Sequence, residues 1–138
     1  MSGTALVESS QMSDRSSLAT HKILVLDDEV DAADLLGQFL SQRGYEVSVA
    51  HDGPEAIQLA KKFEPDMILV DIGLPGMDGY QVAEMLCNDA SVPSCRLVAL
   101  TGYGDPEYHR RSARGGFEEH LVKPVDLDLL VRLIETRV

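Results

Sequence analysis

Residues 22–29 read Lys22-Ile23-Leu24-Val25-Leu26-Asp27-Asp28-Glu29, an unbroken apolar run that stops at three consecutive acids. A strand with one buried face alternates apolar and polar residues. A run that is apolar throughout belongs to a strand covered on both faces. The same signature returns at Met67-Ile68-Leu69-Val70 before Asp71, at Leu97-Val98-Ala99-Leu100 before Thr101, and at His120-Leu121-Val122 before Lys123. With the β-branched stretch Tyr45–Ala50, these runs predict β1 (Lys22–Leu26), β2 (Tyr45–Ala50), β3 (Met67–Val70), β4 (Leu97–Leu100) and β5 (His120–Val122).

Between the strands lie segments of helical period. α1 (Asp31–Arg43) carries Leu35, Leu36, Phe39 and Leu40, with Gly44 placed to stop it. α2 (Pro54–Phe63) begins on a proline and turns Ala56, Ile57, Leu59 and Ala60 inward. A Gly/Pro-rich loop, Gly73-Leu74-Pro75-Gly76, leads to α3, which carries Val82, Ala83, Met85 and Leu86. A polar α4 is expected over Asp105–Arg114, and an amphipathic α5 over Leu127–Val138. Five strands alternating with five helices predict an α/β fold, a doubly wound parallel sheet with helices on both faces.

The chain of 138 residues has room for one domain. Residues 1–20 hold six serines and little bulky apolar surface, and are expected to be a flexible tail or linker before a domain at 21–138. Twelve Lys+Arg against 23 Asp+Glu give a net charge of −11. That balance argues against nucleic acid and anionic lipid, both of which need a basic footprint. No apolar run approaches the roughly 18 residues of a membrane span, and no signal peptide is visible. Cys87 and Cys95 are too few for a disulfide framework, so a reducing, cytoplasmic setting is expected.

Ligands of an open parallel sheet bind beyond the carboxyl ends of its strands. Those ends carry Asp27 and Asp28 after β1, Asp71 after β3, Thr101 after β4 and Lys123 after β5. Taken singly, each has an ordinary structural explanation. Acids favour a helix start, Asp71 and Thr101-Gly102 suit turns, and Lys123-Pro124 suits a helix entry. Together they place three carboxylates, a hydroxyl and an ammonium on one edge. Carboxylates so close repel, and at least one would have a raised pKa unless a cation neutralised them; an all-oxygen set suits a hard ion such as Mg²⁺. A carboxylate can also accept a phosphoryl group, given cancellation of charge on the phosphoryl oxygens. The set matches phosphoryl transfer to an aspartate.

The segments ILVLDDE, MILVDIGLPGMDGYQVAEML, LVALTGYG and HLVKPVD resemble the receiver domains of bacterial two-component response regulators, in order and spacing over about residues 21–138. The resemblance implies the CheY-like strand order 2-1-3-4-5 and a phosphoacceptor at Asp71. It implies Mg²⁺ held directly by Asp28, Asp71 and the backbone carbonyl of Gly73, with Asp27 acting mainly through water. Lys123 would contact the phosphoryl group, next to a cis bond to Pro124. Thr101 would turn inward to the phosphoryl group and couple it to the β4–α4 loop. The implied donor is a histidine kinase or a histidine phosphotransfer protein. The implied output or homodimer surface is α4–β5–α5. The wording of the motifs looks especially like receivers attached to hybrid histidine kinases, so a free-standing regulator and an excised receiver both stay open.

Some positions depart from the family pattern. His120 stands where receivers often carry a switch Tyr or Phe, and can be either that switch or a partly buried histidine with one satisfied nitrogen. Tyr103 lies between Gly102 and Gly104, over the site or on the surface, and three arginines (Arg110, Arg111 and Arg114) fall on α4. Two other functions compete. A Mg²⁺-dependent aspartyl-phosphate phosphohydrolase would carry a second Asp two residues after the nucleophile, where this chain has Gly73. A phosphorylation-independent interaction module would have no need of all five site residues.

Overall fold

The apolar runs become one five-stranded parallel sheet of order β2-β1-β3-β4-β5, the order the resemblance implied. The computed structural model describes residues 21–74, 76, 79–102 and 116–136. Its strands are β1 (Lys22–Leu26), β2 (Glu46–Ala50), β3 (Met67–Asp71), β4 (Arg96–Thr101) and β5 (Glu119–Val122). The helices are α1 (Val30–Gln42), α2 (Gly53–Phe63), α3 (Gly79–Asn88) and α5 (Leu127–Glu135). The expected α4, Tyr103, the arginines on α4 and the tail 1–20 lie outside the described residues.

Period-2 alternation sorts the strands between two cores. Leu24, Leu26, Ile68, Val70, Leu97 and Ala99 pack on one face beneath α2 and α3. Ile23, Val25, Met67, Leu69, Val98 and Leu100 pack on the other beneath α1 and α5. The central strand β3 is buried at all five positions, as its uninterrupted apolar sequence requires. Among the described residues no helix is long and apolar enough to cross a membrane.

Local chemistry sets the element ends. Gly44 takes φ +99° and its N–H donates to Ser41 O at 3.0 Å, closing α1 as expected. The Tyr45 N–H goes to Leu40 O at 3.2 Å, so Tyr45 still belongs to the helix terminus and β2 begins one residue later than expected. Asp52 caps α2 by accepting from the Glu55 N–H at 2.8 Å, and Asp126 caps α5 by accepting from the Leu129 N–H at 3.1 Å.

α5 ends at Glu135 rather than running to Val138, because Thr136 is already extended. Arg96 reaches across from β4 to donate to the Leu133 and Ile134 carbonyls at 2.9 and 3.1 Å. Those two carbonyls at the helix end thus accept from a side chain, Leu133 O also from the Thr136 N–H at 3.3 Å. Two expected apolar positions face outward, Leu35 at 67% exposure and Met85. Leu36 and Leu40 follow the buried stripe of α1. Leu35 lies on the side of the helix away from the buried Ala33, Gly37 and Leu40, and so faces out.

Candidate functional site

Each site residue sits at or just beyond the carboxyl end of a strand. The Asp27 N–H donates to Ala50 O at 3.1 Å, holding the end of β1 against β2. The residue is only 4% exposed. Oδ1 accepts from the Glu29 N–H at 3.0 Å, which turns the chain into α1, and Oδ2 accepts from Lys123 Nζ at 2.9 Å. One carboxylate therefore serves both the helix entry and the site.

Asp71 closes β3 and is 7% exposed. Its Oδ1 accepts from the Gly73 N–H at 2.9 Å, and its Oδ2 accepts from Lys123 Nζ at 3.3 Å. Burial raises the Asp71 pKa, and the neighbouring Asp27 raises it further. The Gly73 N–H and the Lys123 charge pull it back, yet it stays above the ordinary carboxylate value. Burial acts on Lys123 in the opposite sense, but Asp27 and Asp71 outweigh it and hold the ammonium above the usual lysine value. Lys123 thus bridges two buried carboxylates as a cation.

Thr101 ends β4 and is 1% exposed. Its carbonyl accepts the Lys123 N–H at 2.7 Å, so the backbone that carries the ammonium is tied to the strand that carries the hydroxyl. The Lys123–Pro124 bond is cis, as the resemblance implied. Asp28, exposed at the mouth, completes the cluster. One carboxylate oxygen each from Asp27, Asp28 and Asp71 lies within 4.8 Å of the others. Such an oxygen-only group fits Mg²⁺ rather than a softer metal. His120, by contrast, lies in β5 three residues before the lysine, opposite Ala99 in register.

The bridge from Lys123 to Asp27 was not legible in the sequence, which suggested only that the lysine meets a phosphoryl group. An apolar groove beside the site was missed as well. It holds about 530 Å³ and is lined by Leu35, Phe39, Pro124 and Leu127, with Asp27 and Lys123 at its edge. Its signal was weak: Leu35 is the one leucine of α1 that lies opposite the buried positions Ala33, Gly37 and Leu40.

The family whose description is "response regulator receiver domain" matches residues 23–135. The chain is 31% identical over 112 residues to sporulation initiation phosphotransferase F of Bacillus subtilis, covering 80% of this chain and 88% of that protein. It is 39% identical over 108 residues to the response regulator PleD of Caulobacter vibrioides, covering 76% of this chain but only 23% of that much longer protein. Among solved structures, Vibrio cholerae chemotaxis protein CheY4 superposes with a TM-score of 0.79 at 28% identity, over 85% of this chain and 98% of that one.

Proposed function

The chain belongs to the response regulator receiver family, and from that premise we propose that it takes a phosphoryl group from a phosphohistidine donor onto Asp71 with Mg²⁺ bound. Its role as a phosphoacceptor in two-component signalling follows from the family and its relatives. The observation that carries the residue assignment is the Lys123 ammonium bridging buried Asp27 and Asp71, with Asp28 alongside.

An Asp71 oxygen attacks phosphorus. The P–N bond of the donor breaks as the P–O bond forms, and the histidine leaves with the bonding pair. Asp71 is held for this by the Gly73 N–H and by its strand end, so it meets the donor in one orientation. Lys123 loses its partner at Asp71 as the carboxylate becomes a mixed anhydride, and turns to the phosphoryl oxygens while Asp27 keeps it in place. Asp28, Asp71 and the Gly73 carbonyl would hold Mg²⁺, with Asp27 acting through water. The ion supplies charge neutralisation for the carboxylates and the incoming phosphoryl oxygens. Thr101 would hydrogen-bond the phosphoryl group by its hydroxyl, and its carbonyl contact with the Lys123 N–H links that event to β5. From there the change would reach an α4–β5–α5 surface, with His120 in the switch position. Hydrolysis of the acyl phosphate by water would be slow and would reset the site.

The groove between α1 and the start of α5 opens beside Lys123, and its exposed Leu35 suits a helix of the donor protein. Incubation with acetyl phosphate followed by intact mass tests the assignment. With Mg²⁺ the chain should gain one acid-stable, base-labile phosphate. With excess EDTA the rate should fall by about 10² or more, the scale of losing charge stabilisation at a transferring phosphoryl group. Labelling that is equally fast in EDTA would refute the metal-assisted scheme.

A further inference from the structure

Gly79 opens α3, and its N–H donates to Ile72 O at 3.2 Å, directly behind the phosphoacceptor. A Cβ built on it would lie 2.7 Å from the Asp71 carbonyl oxygen, 2.8 Å from Ile72 Cα and 3.0 Å from Ile72 Cδ1. Two of those three atoms are backbone. The Asp71–Ile72 segment cannot retreat freely, because the Ile72 N–H is fixed to Leu100 O at 2.9 Å on its other side. The chain leaving β3 is therefore held between β4 and the bare Cα of Gly79.

Conformation does not explain this glycine. Among the described residues the positive-φ glycines are Gly44, Gly76 and Gly116. Gly79 lies outside the left-handed region, in a backbone that alanine also adopts. Only the space is special.

We propose that Gly79 is a positioning residue for phosphoryl transfer: its missing side chain lets α3 seat against the Asp71–Ile72 backbone and thereby fixes the Asp71 carboxylate relative to Asp27, Asp28 and Lys123. This rests on Asp71 being the acceptor. A methyl group at 79 must move either the start of α3 or the peptide that carries Asp71. In the second case the Gly73 N–H contact and the spacing to Lys123 change together. The three carboxylates then no longer fit one small ion that demands near-ideal octahedral geometry.

Gly37 supplies a matched control. It is also a buried helical glycine, and a Cβ there would lie 3.2 Å from Val49 Cγ2, the end of a side chain rather than backbone, on β2, which β1 separates from the strand of Asp71. The test compares wild type, Gly79→Ala and Gly37→Ala. It measures the rate of acetyl phosphate labelling per folded molecule, and the Mg²⁺ dissociation constant by calorimetry. Gly79→Ala should label slower by about 10²-fold, the scale of a one-ångström misplacement, and bind Mg²⁺ several-fold more weakly. Gly37→Ala should match wild type in both.

Wild type that labels beside a Gly79→Ala of equal rate and equal Mg²⁺ affinity overturns the placement of Gly79. Wild type that takes no phosphate overturns the acceptor assignment instead. If Gly79→Ala does not fold, the wild-type Gly79 amide decides. Its NMR resonance should shift when Mg²⁺ with beryllofluoride fills the site, and an unmoved resonance overturns the proposal.

Discussion

The two edges of the sheet handle charge in opposite ways. At the amino edge Lys22, Asp66, Arg96, Glu118 and Glu135 each meet an opposite charge or a hydrogen-bonding partner. Arg96 Nε contacts both Glu118 oxygens at 3.0 Å while its other nitrogens cap α5. Asp66 accepts the Lys22 N–H at 2.8 Å, and Glu135 accepts the Tyr45 hydroxyl at 2.7 Å. At the carboxyl edge three carboxylates cluster, and one ammonium pairs with the two that are buried. A balanced edge is finished when the chain folds. An unbalanced one carries a standing electrostatic cost that a bound cation and phosphoryl chemistry can use.

The comparison breaks most sharply at Lys123. Lys123→Ala should slow labelling by acetyl phosphate by about 10²–10³, as expected for removing a preorganised charge from the transferring group. Time-resolved intact mass checks it, and a rate near wild type would make the carboxyl edge no different in kind from the other.

Arg96→Ala should do the converse. Losing its bonds to Glu118 and to the α5 carbonyls should cost about 2 kcal/mol in urea unfolding, with labelling of the folded protein unchanged. A variant that lost labelling but not stability would reverse the roles of the two edges.

A smaller effect sharpens the same contrast. Because the Asp71 pKa is raised in the fold, the folded state holds on to a proton that the unfolded state releases. The Asp71 contribution to stability therefore falls as pH rises from the ordinary carboxylate value through the raised one. In metal-free buffer Asp71→Asn should be more stable than wild type at pH 7, with the gain fading as pH falls through the ordinary carboxylate value, below which both states are protonated. Urea unfolding across that range reads the sign directly, and a stability gain that grew on acidification would contradict it.

Much of this was legible because a parallel sheet writes itself plainly. Each apolar run became a strand, and the polar residue that ends the run marks the edge where Asp27, Asp71, Thr101 and Lys123 now stand. The losses came where a residue answers to a partner far along the chain. Tyr45 left β2 because its N–H closes α1, and α5 stopped early where Arg96, 37 residues before Leu133, takes its carbonyls. Lys123 pairs with Asp27 across 96 positions, which no local pattern encodes. Gly79 gave no signal at all, since the lack of a side chain acquires meaning only when another backbone lies against it.

The central claim is that Asp71 is the acceptor and that the unbalanced edge exists for it. Wild type and Asp71→Asn, incubated with acetyl phosphate and Mg²⁺ and compared by intact mass with peptide mapping, test this most directly. The account predicts a single phosphate on the wild-type peptide containing Asp71 and none on the variant. Equal labelling of the two chains, or a phosphate mapped elsewhere, would contradict it.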